Sequence, residues 1–123
     1  MRVFFLPALG LIVLGGVNYA CRYPVQACDL KLVYGLTIVV TDSTSGAPLG
    51  GAETLVELRD GAYVDTLPPF IANEYSGAGE RPGTYSVKVQ RLGYRVWQST
   101  GIRVREDECH VIPVRVTARL QAF

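Results

Sequence analysis

The stretch GTYSVKVQRLGY, residues 83–94, decides how this chain folds. Tyr85, Val87 and Val89 share one parity, and Ser86, Lys88 and Gln90 share the other. Side chains of a β-strand alternate between its two faces, so a period of two predicts a strand with one face in a core and one in water. Leu92-Gly93 then marks a turn into YRVWQS, residues 94–99.

The same alternation recurs on both sides of that stretch. Upstream, Leu36, Ile38 and Val40 oppose Thr37, Val39 and Thr41. TSGAPLGG, residues 44–51, is crowded with turn formers and reads as a loop. Ala52, Thr54, Val56 and Leu58 are in register in a second strand that closes at Asp60-Gly61. That dipeptide between strand-like runs predicts a hairpin, with AYVDTL (62–67) folding back antiparallel. Residues 68–83 show no period and read as the longest loop. Downstream, Ile102 and Val104 alternate with Arg103 and Arg105. Ile112, Val114, Val116, Ala118 and Leu120 share a face opposite Arg115, Thr117 and Arg119. Arg103, Arg105, Arg115 and Arg119 would make a basic stripe if the last two strands pair. Pro113 has no N–H to donate, which predicts an edge strand or a bulge there. No apolar period of helical spacing follows residue 21. The expected fold is all-β: an antiparallel Greek-key β-sandwich of about seven short strands.

The chain opens MRVFFLPALGLIVLGGVNYAC, residues 1–21. One positive charge precedes an apolar run from Val3 to Val17, shorter than the ~20 residues a membrane-spanning helix needs. A basic start, a short apolar run and a small-residue exit predict a secretory signal helix over residues 1–20. Residues 21–33 then form a tether and residues 34–120 the domain. Ala20-Cys21 matches the end of a bacterial lipoprotein box, although Asn18 stands where leucine is usual. The chain has 3 cysteines, an odd number for an oxidising compartment. Acylating Cys21 leaves Cys28 and Cys109 as a disulfide pair. The alternative is ordinary cleavage, giving a soluble periplasmic or secreted protein.

The strand ending Val40-Thr41-Asp42, then TSGAPLGGA, GTYSVKVQRLGY, GIRV and CHVIPVRVTARL together resemble the bacterial carboxypeptidase regulatory-like domains. These are transthyretin-like (prealbumin-like) β-sandwiches, and the resemblance spans residues 34–120. Asp42, Gly46, Pro48, Gly83, Tyr85 and Gly93-Tyr94 sit where such domains turn. The resemblance implies a sandwich fold and an accessory, non-catalytic role in secreted or lipid-anchored proteins. A transthyretin-like enzyme, hydroxyisourate hydrolase, uses several histidines and a C-terminal Tyr-Arg-Gly-Ser. This chain has 1 histidine and ends Arg119-Leu120-Gln121-Ala122-Phe123, which speaks against that activity.

VREDECHVIPV, residues 104–114, holds the most reactive residue types. On a strand, Cys109 and His110 point to opposite faces and cannot pair as nucleophile and base. Asp107, Glu108 and His110 are a single local trio, whereas a metal site needs three or four ligands at suitable spacing. No catalytic residue, metal or cofactor is therefore expected. A Cys28–Cys109 bond would tie the tether to the start of the last strand, provided the Cα atoms lie within about 7 Å. His110 shares the parity of Ile112 and is expected at the rim of the core as an ordinary strand residue. Phe70, Tyr75 and Trp97 are candidate ligand-binding residues, and Trp97, Tyr94 and Tyr63 could form a flat platform for a sugar. Without Arg2 in the signal segment, 11 basic residues face 11 acidic ones, so no basic field exists to attract nucleic acid. The expected function is a non-catalytic exported envelope module, structural or protein-interacting, held on the membrane by lipid at Cys21, with an unknown protein or glycan partner. The alternative is a secreted carbohydrate- or peptide-binding module.

Overall fold

The structure, a computed structural model, describes residues 28–123. The expected signal helix and Cys21 lie outside them. Eight strands form among the described residues: β1 (Tyr34–Asp42), β2 (Thr54–Asp60), β3 (Tyr63–Leu67), β4 (Pro69–Ile71), β5 (Glu74–Gly79), β6 (Gly83–Arg91), β7 (Trp97–Val104) and β8 (Val114–Leu120). They make two four-stranded sheets, in the orders β4-β5-β1-β8 and β3-β2-β6-β7. The hairpins β2–β3, β4–β5 and β6–β7 each stay within a sheet, and every other connection crosses between sheets.

A strand apolar on one face must bury that face against a second layer. Leu36, Ile38 and Val40 of β1, Tyr75 of β5, and Ala118 and Leu120 of β8 supply the core from the first sheet. Val56, Leu58, Leu67, Tyr85, Val87, Val89 and Val104 supply it from the second. The layers touch closely. A Cβ on Gly77 would lie 2.4 Å from Leu67 Cδ2 and 3.0 Å from Leu58 Cδ1, so glycine is what lets β5 approach β2 and β3.

Five expectations are corrected by this arrangement. Residues 68–83 are not a long loop: they supply β4 and β5, with β5 paired to β1 through Leu36↔Gly77 and Ile38↔Tyr75. The period is hidden there because Gly77, Ala78 and Gly79 carry almost no side chain. Next, YRVWQS and the alternating run that follows Gly101 are not separate strands. They run into the single strand β7, which bulges at Gly101 (φ 71) as the register against β6 slips between Tyr85↔Ile102 and Val87↔Ser99. The last strand begins at Val114, not at His110. Val111 is buried and Ile112 is 48% exposed, so the parity reverses ahead of Pro113, which leads into the edge strand β8.

The sheets are also not wholly antiparallel. β1 and β8 run parallel, from Leu36↔Val114 to Asp42↔Leu120. The cause is where β7 stops: Val104 ends beside Gly35 at the start of β1, its Cγ1 2.8 Å from where a Gly35 Cβ would stand. A chain re-entering the first sheet from that end must run in the direction of β1. Because β7 and β8 are edges of different sheets, they form no ladder, and the four arginines do not line up as a stripe. Arg115 instead ion-pairs with Glu74.

The domain thus has two ends. Tyr34, Gly79, Gly83 and Val104 gather at the tether end, and Asp42, Thr54, Arg91 and Leu120 at the far end. At the far end Asp42 Oδ1 accepts the N–H groups of Thr44 (2.8 Å) and Ser45 (2.9 Å), and Tyr94 donates its hydroxyl to Asp42 Oδ2 (2.8 Å). The Ser45 N–H, then the Tyr94 hydroxyl and the Thr44 N–H, pull the Asp42 carboxyl down to about 2 from its ordinary 3.8. A lowered folded-state pKa stabilises the fold above the ordinary value and is lost as pH falls through the lowered one. Asp42→Asn is therefore expected to flatten the decline of Tm on acidification between 3.8 and about 2. Identical slopes for variant and wild type in scanning calorimetry would remove this clamp from the account.

Candidate functional site

The segment between β7 and β8 folds back on itself at the tether end. Asp107 Oδ1 accepts the N–H groups of Cys109 (2.8 Å) and His110 (2.9 Å), and the Asp107 N–H donates to His110 O (2.9 Å). An aspartate that bonds its own downstream backbone makes a tight turn. Cys109 and His110 therefore leave the chain from a turn, not from a strand. Cys109 is bonded to Cys28 with the Cα atoms 5.1 Å apart, inside the reach a disulfide requires.

His110 corrects the expectation of an ordinary strand residue. Its ring bridges two carboxylates: Nδ1 lies 2.6 Å from Glu80 Oε1, and Nε2 lies 2.7 Å from Asp29 Oδ1. Asp29 belongs to the tether and Glu80 to the turn between β5 and β6, so one imidazole joins three segments. Glu80 is the hub. Its Oε1 also accepts the Val33 N–H (2.8 Å), its Oε2 accepts the Val111 N–H (3.3 Å), and its own N–H donates to Val33 O (2.9 Å). The Glu80 backbone sits at φ 49, a left-handed conformation that side chains other than glycine seldom adopt. Such a backbone persists only where its surroundings over-determine it, and these bonds do so.

The electrostatics follow from the contacts. Glu80 and then Asp29 hold the His110 pKa above its ordinary 6.5, because both favour the charged ring. Asp29 is lowered, first by the Lys31 N–H and then by His110. At Glu80 burial pushes upward, but the Val33 N–H, His110 and the Val111 N–H outweigh it and the group is lowered. A neutral imidazole has one N–H, whereas the imidazolium has two. Only the imidazolium can donate to both carboxylates at once.

Sequence reasoning found Cys28 and Cys109 but missed Asp29 and Glu80 as partners of His110. They lie 81 and 30 positions away from it, and nothing local to either marks the contact. Asp107, expected in a local trio with Glu108 and His110, is turned onto backbone amides. Phe70 sits on β4, 60% exposed, with its ring edge-on to Tyr34 at 6.0 Å. Tyr75, expected to face a ligand, is wholly buried and donates its hydroxyl to Gly51 O (2.8 Å). Trp97 is half-buried against the core at the start of β7. β3 packs by β5 and β7 by β8, which puts β4 and β7 at opposite edges of the domain. Phe70, Tyr75 and Trp97 consequently share no surface. Nor do Tyr63, Tyr94 and Trp97 make a platform: Tyr63 lies under the Arg81 guanidinium (3.9 Å to the ring centre) at the tether end, and Tyr94 is held by Asp42 at the far end.

The chain matches no known family model and no curated protein. The chemistry of the tether end is therefore read from its own geometry. Both sulfurs are covalently committed, and both ring nitrogens of His110 are occupied by carboxylates. The cluster binds chain to chain.

Proposed function

We propose that this chain is a non-catalytic module of the bacterial cell envelope, exported and carried on lipid attached to Cys21. The observation that carries the reading is the Cys28–Cys109 bond at the root of the tether. Disulfides persist in oxidising compartments, which supports export. With 3 cysteines in the chain, pairing these two leaves Cys21, the residue that directly follows the apolar opening and its small exit. From Cys21 to Cys28 the chain reaches at most about 25 Å, so a lipid there would hold the tether end close to the membrane. Each buried CH₂ contributes about 0.8 kcal/mol, and stable anchoring takes at least two acyl chains.

The two four-stranded sheets, with strands running from Tyr34 to Leu120, support a transthyretin-like Greek-key sandwich of the regulatory-like kind. The commitment of both sulfurs and of the His110 ring to intrachain contacts supports a structural or interaction role over a hydrolytic one. The carbohydrate-binding alternative loses support because its candidate aromatics are dispersed. Detergent-phase partitioning with intact-protein mass spectrometry tests the reading. Wild-type protein should enter the detergent phase with a mass raised by lipid, and Cys21→Ser should stay in water. A wild-type chain found in the aqueous phase with an unmodified Cys21 would overturn lipid anchoring.

A further inference from the structure

We propose that residues 28–32 are a releasable strap, clasped to the domain while His110 is protonated and the Cys28–Cys109 bond is intact, and freed as far as Val33 when both are lost. This goes beyond the envelope reading and holds whether or not Cys21 carries lipid.

The strap is poorly packed. Leu30 is fully exposed and Leu32 is 57% exposed, so apolar burial does little to hold it. The Lys31 N–H turns back onto Asp29 Oδ1 within the strap itself (3.1 Å). The strongest parts of its grip on the domain are the disulfide at Cys28 and the Asp29 carboxylate on His110, beside a weaker contact of Cys28 Sγ with Glu108 O (3.7 Å) and the Leu32 side chain over Gly79. Val33 is different: its N–H and C=O both bond Glu80, which makes it the natural hinge.

Proton loss acts on Asp29 in particular. Glu80 is fixed to His110 and to the Val33 and Val111 amides, so a neutral ring keeps its remaining N–H on Glu80. The bare Nε2 lone pair then faces the Asp29 carboxylate, and attraction becomes repulsion. Other charges sharpen the change. The groups around the cleft are Asp29 and Lys31 from the strap, Glu80 from the β5–β6 turn, and Glu106, Asp107 and Glu108 from the β7–β8 segment. Once His110 is neutral, Lys31 alone opposes five acids.

The sign of the pH effect is set by the directions of the shifts. His110 is raised, so its contribution is complete below 6.5 and is lost as pH rises through the raised folded value. Asp29 and Glu80 are lowered, so theirs is complete above 3.8 and 4.5 and is lost only as pH falls through the lowered values. The clasp is tightest between those limits and opens on the alkaline side.

The covalent half needs a dithiol reductant. It transfers two electrons and two protons, the S–S bond breaks into thiols on Cys28 and Cys109, and the reductant leaves as a disulfide. Five freed residues would lengthen the tether by about 17 Å.

Hydrogen exchange on the full-length protein in mild detergent tests this, with the disulfide intact or reduced by dithiothreitol, at about pH 5.5, below the ordinary histidine value, and at about 8.5, well above it. After correction for intrinsic exchange, the Lys31 amide, whose bond to Asp29 Oδ1 the clasp holds in place, should lose about tenfold in protection in the reduced protein at the higher pH. The oxidised protein should change less, and Asp29→Asn should abolish the pH response while β1–β8 amides stay protected. Equal Lys31 protection at both pH values in the reduced protein overturns the proposal. So does a wild-type pH response in Asp29→Asn, or a loss spread across all strands, which would report global unfolding.

Discussion

Tyr75→Ala is expected to lower the free energy of unfolding by about 3–5 kcal/mol, the range for deleting a large buried aromatic side chain. The ring has no solvent exposure and is among the largest fully buried side chains of the domain. It stands on β5 between Ile38 of β1 and Pro69 of β4, and both of these flanking residues are themselves held in ladders. The loss therefore combines removed apolar contact with a cavity that fills poorly. Tyr75→Phe isolates the hydroxyl. It keeps the ring and removes the 2.8 Å bond to Gly51 O, which still accepts the Thr54 N–H (3.3 Å), and should cost about 0.5–1.5 kcal/mol. Against a net stability of about 5–15 kcal/mol, the alanine variant should shift the urea midpoint far and the phenylalanine variant modestly. An alanine variant as stable as the wild type would show that Tyr75 is not a core residue and would return it to the ligand-binding residues.

Replacing both Cys28 and Cys109 by serine should cost a similar amount, about 4 kcal/mol, for the opposite reason. The bond closes a loop over a sequence separation of 81, so its absence chiefly enlarges the unfolded ensemble. The folded state has little to lose: Leu30 and Leu32 are exposed, and the strands do not depend on the strap for their core. Equilibrium denaturation should therefore show an earlier midpoint with an unchanged far-ultraviolet spectrum. A variant that keeps the wild-type midpoint would show that the tether is confined by other contacts in the unfolded chain. One that loses its sheet signal in water would show that the bond shapes the folded domain.

The two effects differ in how readable they were. Cysteine parity, together with the expected acylation of Cys21, paired Cys28 with Cys109, because covalent chemistry depends on residue type and compartment. Tyr75 was misread as a binding residue because it sits in a stretch without a visible period. Its neighbours Gly77, Ala78 and Gly79 are small where the sheets come closest, and a pattern of side chains cannot appear where side chains are excluded. His110 was misread for a related reason. Its clasp depends on a carboxylate from the tether and another from the β5–β6 turn, and no local rule connects them.

Alternation in β1, β2, β3 and β6 and the Asp60-Gly61 turn were legible from the linear chain, since backbone geometry imposes a period of two on any half-buried strand. Which sheet each strand joins was not. Neither was the parallel run of β8 along β1, nor the continuity of β7 through Gly101. Those outcomes depend on where each crossing between layers ends in space. The proton-dependent grip of His110 belongs with them, because a charge acquires its meaning from whatever distant groups the fold sets around it.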